Sequence, residues 1–240
     1  MSRTDSITAP AVAAIGRPLS DVRSFWRVLL AIVAPLPMLA KAVYYLITPV
    51  EGNADFDTTV RAYEADRGLA GTLRLLDVVF CVLLIPAVYA VAWAARRGAP
   101  RLTTAGALLS LLGCLAGFGL IGITTPAYLA AVRGLDVDAM RALQDTMESD
   151  PISMVASLLF IIGIVFGLGL LGAALWRSRI VPAWFGIALM VGGITHPFVP
   201  TTIGQGIGLV AAAVGFAGAS VALLRMRNDD FDVPPRRAAA

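Results

Sequence analysis

Long apolar runs alternate with short polar segments along the whole chain. Six runs are each long enough to cross a bilayer, at 26–48, 73–95, 102–128, 152–175, 181–200 and 204–224. About 20 apolar residues span the ~30 Å hydrocarbon core. The fourth run is the cleanest, with no charge between Met154 and Leu175. The pattern predicts an all-α polytopic membrane protein, a bundle of six transmembrane helices over 25–227. A disordered polar leader over 1–24 and a flexible tail over 228–240 flank it.

Punctuation within the runs adds detail. Pro35 and Pro37 should kink or open the first span, because each removes a donor and crowds the previous turn. Pro86 should interrupt the second. The short link Gly98-Ala99-Pro100 makes spans 2 and 3 antiparallel neighbours. Gly113/Gly117, Gly163/Gly167 and Gly204/Gly208 form three GxxxG pairs, which let helices approach closely. Ile47-Thr48-Pro49, Ile123-Thr124-Thr125-Pro126 and Ile194-Thr195-His196-Pro197 close the odd spans on one side. Two longer loops lie on that same side. In the first, Phe56, Val60 and Tyr63 recur at helical spacing. In the second, Asp138 is placed to cap a helix with Met140, Leu143 and Met147 along one stripe. That helix reads as interfacial, lying on lipid, with a lid over the bundle as the alternative. Asp150-Pro151 reads as N-cap and first residue of span 4.

Composition agrees with this picture. Of 240 residues 58% are hydrophobic and 15% charged, and the mean hydropathy is +0.80. Soluble domains carry about 25% charge. Charge then orients the bundle. Alternating loops place 13 of the 19 basic residues on the side of the termini, five opposite and Lys41 inside a span. Under the positive-inside rule both termini are cytoplasmic. The basic residues form no run of five or more, so the pI near 9.2 does not indicate nucleic acid. Ten of the 16 acids lie in the outer loops and make that face electronegative. The two cysteines, Cys81 and Cys114, fall in mid-span, which excludes a disulfide framework and fits small packing residues. A signal-peptide-like run ending at Ala40-Lys41-Ala42 continues apolar through Ile47 and reads as a span.

Candidate chemistry is sparse. Three ionisable residues lie inside the runs: Lys41, Asp77 and His196. A charge at the centre of a span costs roughly 2.5–3.5 kcal/mol on insertion scales. Such groups pair, face the bundle or line a wet cavity. All three fall in the outer half of their spans, and a Lys41–Asp77 ion pair is geometrically reasonable. Structural readings stand beside it. Lys41 can snorkel to the headgroups, Asp77 can pair with Arg74 one turn away, and His196 can simply end its helix. The chain has no H-E-x-x-H, G-x-S-x-G, P-loop or dinucleotide motif, and one histidine with two separated cysteines does not make a zinc site. No cofactor is expected.

The segment Gly172-Ala-Ala-Leu-Trp-Arg-Ser-Arg-Ile-Val-Pro-Ala-Trp-Phe-Gly-Ile-Ala-Leu, followed by Gly192-Gly193-Ile194-Thr195-His196-Pro197, resembles small polytopic membrane proteins of unknown function from high-GC bacteria. In those proteins an LWRSR-VP-W-G inner turn joins two late helices. The resemblance implies a multi-pass protein of the bacterial cytoplasmic membrane and transfers no catalytic residue. The expectation is a non-enzymatic membrane protein that binds a small ligand or ion at Lys41, Asp77 and His196. A small secondary or proton-coupled carrier, or a membrane subunit working with a partner protein, is the alternative. Orientation is testable with single cysteines: an impermeant thiol reagent should label positions 57 and 145 in intact cells. Labelling at 178 or 235 instead would reverse the topology.

Overall fold

The computed structural model describes residues 21–232, apart from the side chain of His196. Most of the predicted leader and tail lies outside those residues. Among the described residues the secondary structure is helical throughout. The first span is two helices, α1 (Arg23–Val33) and α2 (Leu36–Ile47), broken at Ala34-Pro35 as the two prolines require. α3 (Phe56–Ala65) follows, then α4 (Arg67–Ala95). α4 starts six residues before the expected position at Leu73, because the Asp66 carboxylate accepts from the Leu69 N–H at 2.8 Å. It also runs unbroken through Pro86, where an interruption was expected. One lost donor is tolerable where intact turns on both sides carry the helix and water does not compete for it.

α5 (Pro100–Leu120) stops earlier than the apolar run, at a turn over 121–124, and α6 (Thr125–Arg133) begins with Pro126 in its first turn. α7 (Val137–Ser149) leads into α8 (Pro151–Ile162), capped by Asp150 as the sequence implies. A π-helical turn, Gly163–Gly167, joins α8 to α9 (Leu168–Ser178). α10 (Ala183–Phe198) and α11 (Thr202–Arg225) complete the bundle, and α12 (Asn228–Phe231) is a single turn beyond it.

Among the described residues five helical stretches are long and apolar enough to cross a membrane: Arg23–Ile47, Arg67–Ala95, Pro100–Arg133, Pro151–Ser178 and Thr202–Arg225. The segment expected as a sixth crossing, 181–200, forms α10. At 16 residues α10 is about 24 Å long, short of the ~30 Å core. Large apolar side chains such as Phe80, Leu171 and Phe216 fill the core, and others stand outward as well. Leu108, Leu112 and Leu115 stand out along one face of α5, and Ile203 and Ile207 do so on α11. Glycine and alanine face inward, which is how helices gain contact when lipid is as apolar as leucine.

The close approaches fall at the small residues. A Cβ on Gly113 would lie 2.7 Å from the Cα of Gly163, so α5 and the π turn touch backbone to backbone. Gly172 and Gly186 meet in the same way where α9 crosses α10, and Gly192 meets Ala212 where α10 crosses α11. α11 therefore stands between α10 and α2, whose Leu46 packs on Gly206. On the side of the termini Arg27 closes the end of α11 by donating to the carbonyls of Leu223, Leu224 and Met226. The tail, expected to be flexible from Asn228, starts as a strapped turn. Arg23 holds Asp229 at 2.8 Å, Arg97 holds Asp230 at 3.0 Å, and the Trp93 indole donates to the Phe231 carbonyl at 2.9 Å.

Gly113→Val should lower stability in detergent by about 1–3 kcal/mol, the usual cost of overpacking a tight contact. Gly119→Ala, where nothing lies within 4 Å, is the matched control and should be neutral. Equal melting temperatures for the two variants would rule out this crossing.

Candidate functional site

Opposite the termini, α3, α6 and α7 build a cap over the bundle. Asp55 caps α3, its carboxylate accepting from the Thr58 N–H at 2.6 Å. That bond, with the Thr58 hydroxyl, holds the Asp55 carboxyl below the usual carboxylate range. The cap is fully formed above the ordinary carboxylate pKa and is lost only as pH falls through the depressed value. Val60 of α3 buries against Ala127, Ala130 and Ala131 of α6. α6 ends at Gly134, whose φ of +67° is the left-handed conformation that a helix end takes up at little cost in glycine.

The cap of α7 is Asp136, not Asp138. The Asp136 side chain accepts from Ala139 at 2.8 Å, while Asp138, in the first turn, pairs with Arg141 at 3.0 Å. The stripe Met140, Leu143, Met147 divides. Met140 joins the α3–α6 cluster, Met147 lies against Gly122, and Leu143 stays exposed. Arg141 also pairs with Asp57 of α3, and that bond raises its pKa. α7 is thus tied to α3 across the cap.

Beneath the cap Lys41 of α2 meets Asp77 of α4, Nζ to Oδ1, at 2.5 Å. The side chains are 11% and 20% exposed, so the pair is sheltered but reachable. Arg74 does not compete for the carboxylate. It donates to the Thr125 hydroxyl at 3.1 Å and stacks on Tyr128 at 5.0 Å. Three rings surround the Lys41 ammonium: Tyr44 at 4.0 Å, Tyr45 at 5.2 Å and Phe80 at 5.6 Å. Carboxylate and aromatic faces together offset the desolvation of the ammonium.

The pair lies where two cavities meet. Above it is a vestibule of about 530 Å³, walled by the 50–55 loop, α3, α7 and the ends of α2 and α11. Below it a cleft of about 170 Å³ runs between Phe80, Cys81, Leu120 and Phe160. The vestibule carries five carboxylates, Glu51, Asp55, Asp77, Asp145 and Glu148, against the single ammonium of Lys41. Two of them also hold structure, since Glu51 accepts from the Thr202 N–H at 2.9 Å and Asp55 caps α3. The Gln144 amide donates to Glu148 at 2.9 Å, which leaves its buried carbonyl oxygen without a protein donor. Burial pushes the Tyr63 phenol up, so that wall stays neutral. Among the described residues no three His, Cys, Asp or Glu side chains converge well enough to hold a metal ion.

Of the three residues singled out by sequence, Lys41 and Asp77 come together. His196 lies near the end of α10, with its side chain outside the described residues; α10 packs on α9 and α11, not chiefly on α2. Sequence reasoning missed the aromatic ring around Lys41 and the α7 wall. Tyr44-Tyr45 next to an intramembrane lysine was the available signal for the first. Two of the three Ile-Thr-Pro elements do reach the vestibule, through Thr48 and Thr124. No protein-family model, curated protein or solved structure matches this chain.

The geometry predicts coupling between the partners. Lys41→Met and Asp77→Leu should each lower stability by about 2–3 kcal/mol, while the double variant recovers part of the loss, because each single change leaves a charge unpaired. Strictly additive losses, measured by thermal unfolding in detergent, would show that the two side chains do not depend on each other.

Proposed function

We propose that this chain is a non-enzymatic, multi-pass protein of the bacterial cytoplasmic membrane that binds a small, positively charged ligand in the outer vestibule. The observation that carries the reading is the vestibule itself, a cavity of about 530 Å³ with five carboxylates against one ammonium, ending on an intramembrane ion pair. An electronegative concavity with low-dielectric walls concentrates cations at its mouth. The rings of Tyr44, Tyr45 and Tyr63 offer faces to the apolar part of an organic cation. The carbonyl oxygen of Gln144, without a protein donor, adds the negative end of its dipole to the same wall.

In this reading α10 is the sixth crossing, helped by local thinning of the bilayer and tilt. The arginines place both termini in the cytoplasm, so the vestibule opens outward. A second reading, a small secondary carrier, draws support from the cleft continuing below the ion pair and from the broken α1–α2 helix. Uptake into liposomes separates a carrier from a binding protein. Dependence on a membrane-protein partner would appear as co-purification on mild detergent extraction.

Tetramethylammonium should raise the melting temperature of the purified protein in a saturable way, and acetate at equal ionic strength should not. Asp145→Asn with Glu148→Gln should weaken the cation effect several-fold, and added salt should narrow the difference, since exposed charges are screened within ~10 Å at 0.1 M. Equal stabilisation by anions, or none by any cation, would refute the proposal.

A further inference from the structure

Lys41 is the only lysine in a chain with 19 basic residues. Arginine elsewhere serves every basic role: capping α11, strapping α12 and tying α7 to α3. The position inside the membrane takes the one compact ammonium. A guanidinium is planar and forks to two acceptors, whereas an ammonium is a point charge on a flexible stem. The surroundings of Lys41 match the second shape. A carboxylate oxygen lies at 2.5 Å on one side, and rings of Tyr44, Tyr45 and Phe80 lie 4.0–5.6 Å away on others. An aromatic box closed by a carboxylate is the arrangement that recognises an alkylammonium ion.

Resting on the vestibule being a cation site, we infer that Lys41 is a tethered occupant of an alkylammonium subsite at Asp77, and that the ligand binds by displacing it. Two observations support exchange. Lys41 and Asp77 line both the vestibule and the cleft beneath, so an incoming cation meets the carboxylate from above. The Lys41 stem has four rotatable carbons and acidic neighbours around the vestibule to receive its charge once released. Replacing one ammonium by another keeps Asp77 paired throughout, so no unpaired charge is created in the low-dielectric layer. A ligand without positive charge cannot make this exchange. Release of Lys41 would also remove the barrier between the vestibule and the cleft that holds Cys81.

A single lysine makes the test direct in the unaltered protein. The full chain in detergent is treated with an amine-reactive reagent at mildly alkaline pH, and modification of Lys41 is followed by peptide mass spectrometry, with the α-amino group as internal reference. Tetramethylammonium, which does not consume the reagent, is compared with sodium at equal ionic strength. The expected result is a rise of about tenfold in Lys41 modification at saturation, the change produced when the displaced fraction goes from about one in ten to nearly all. Lys41→Gln, which removes the competitor, should bind tetramethylammonium about tenfold more tightly on the same arithmetic. If tetramethylammonium stabilises the protein while Lys41 stays unreactive and Lys41→Gln binds no better, Lys41 is a fixed wall and the displacement idea falls, though the vestibule remains a cation site. If tetramethylammonium neither stabilises the protein nor exposes Lys41, the vestibule reading falls and takes the inference with it.

Discussion

Placing an ammonium and a carboxylate inside an apolar bundle forces them to meet. Either charge alone, held in a layer that solvates it poorly, would cost several kcal/mol. Meeting constrains the helices that carry them: α2 must present Lys41 to α4 at the level of Asp77, and the break at Ala34-Pro35 leaves α2 free to adopt that angle without moving α1. α1 is fixed separately, by Arg27 at the end of α11. Each half of the first span thus has its own anchor, a carbonyl cluster on one side of the bundle and a carboxylate on the other.

The bundle is hollow on both sides of the pair, with the vestibule above and the cleft below. Elsewhere the helices are drawn together at glycine and alanine, as at Gly113–Gly163 and Gly192–Ala212, where a single added carbon would collide with backbone. Around Lys41 the contacts come from Tyr44, Tyr45, Phe80 and Phe160, large rings that hold helices apart. Small residues make the seams and large aromatic ones make the space. The turn over 121–124 contributes too: by ending α5 early it withdraws backbone from above Asp77 and lets Thr124 line both cavities.

How much of this was legible in the sequence depends on the range of the interaction. The apolar runs, the Pro35 break, the Asp150 cap and the Lys41–Asp77 pair all follow from local chemistry or from the cost of burying charge, and each could be read. The start of α4 reads too late in the sequence because the apolar run begins only at Leu73, whereas the helix starts six residues earlier in a polar stretch where Asp66 caps it. The choice of Asp136 over Asp138 failed because two carboxylates compete for one helix start. The π turn at Gly163–Gly167 was hidden because a GxxxG pair reads the same whether the helix is regular or widened. The vestibule was hidden because its α7 wall is set by Arg141 reaching Asp57, 84 residues away in sequence, which no periodicity reveals.

The two ends of the bundle are built to opposite effect. On the side of the termini, arginines donate to backbone carbonyls and to Asp229 and Asp230, and Trp93 stacks on Tyr89 and lies tilted against Phe231, so helix ends are tied directly to one another beside an apolar cavity of about 500 Å³ lined by Trp26, Pro86 and Trp93. On the other side, the ties run between cap elements, Arg141 to Asp57 and Glu51 to Thr202, and they pass around a cavity instead of filling it. Ties of the first kind fix the helices to one another; ties of the second kind hold a roof at a distance. The roofed end leads to the sheltered Lys41–Asp77 pair, which lines both the vestibule and the cleft beneath it, and the carboxylates of that wall make its mouth electronegative.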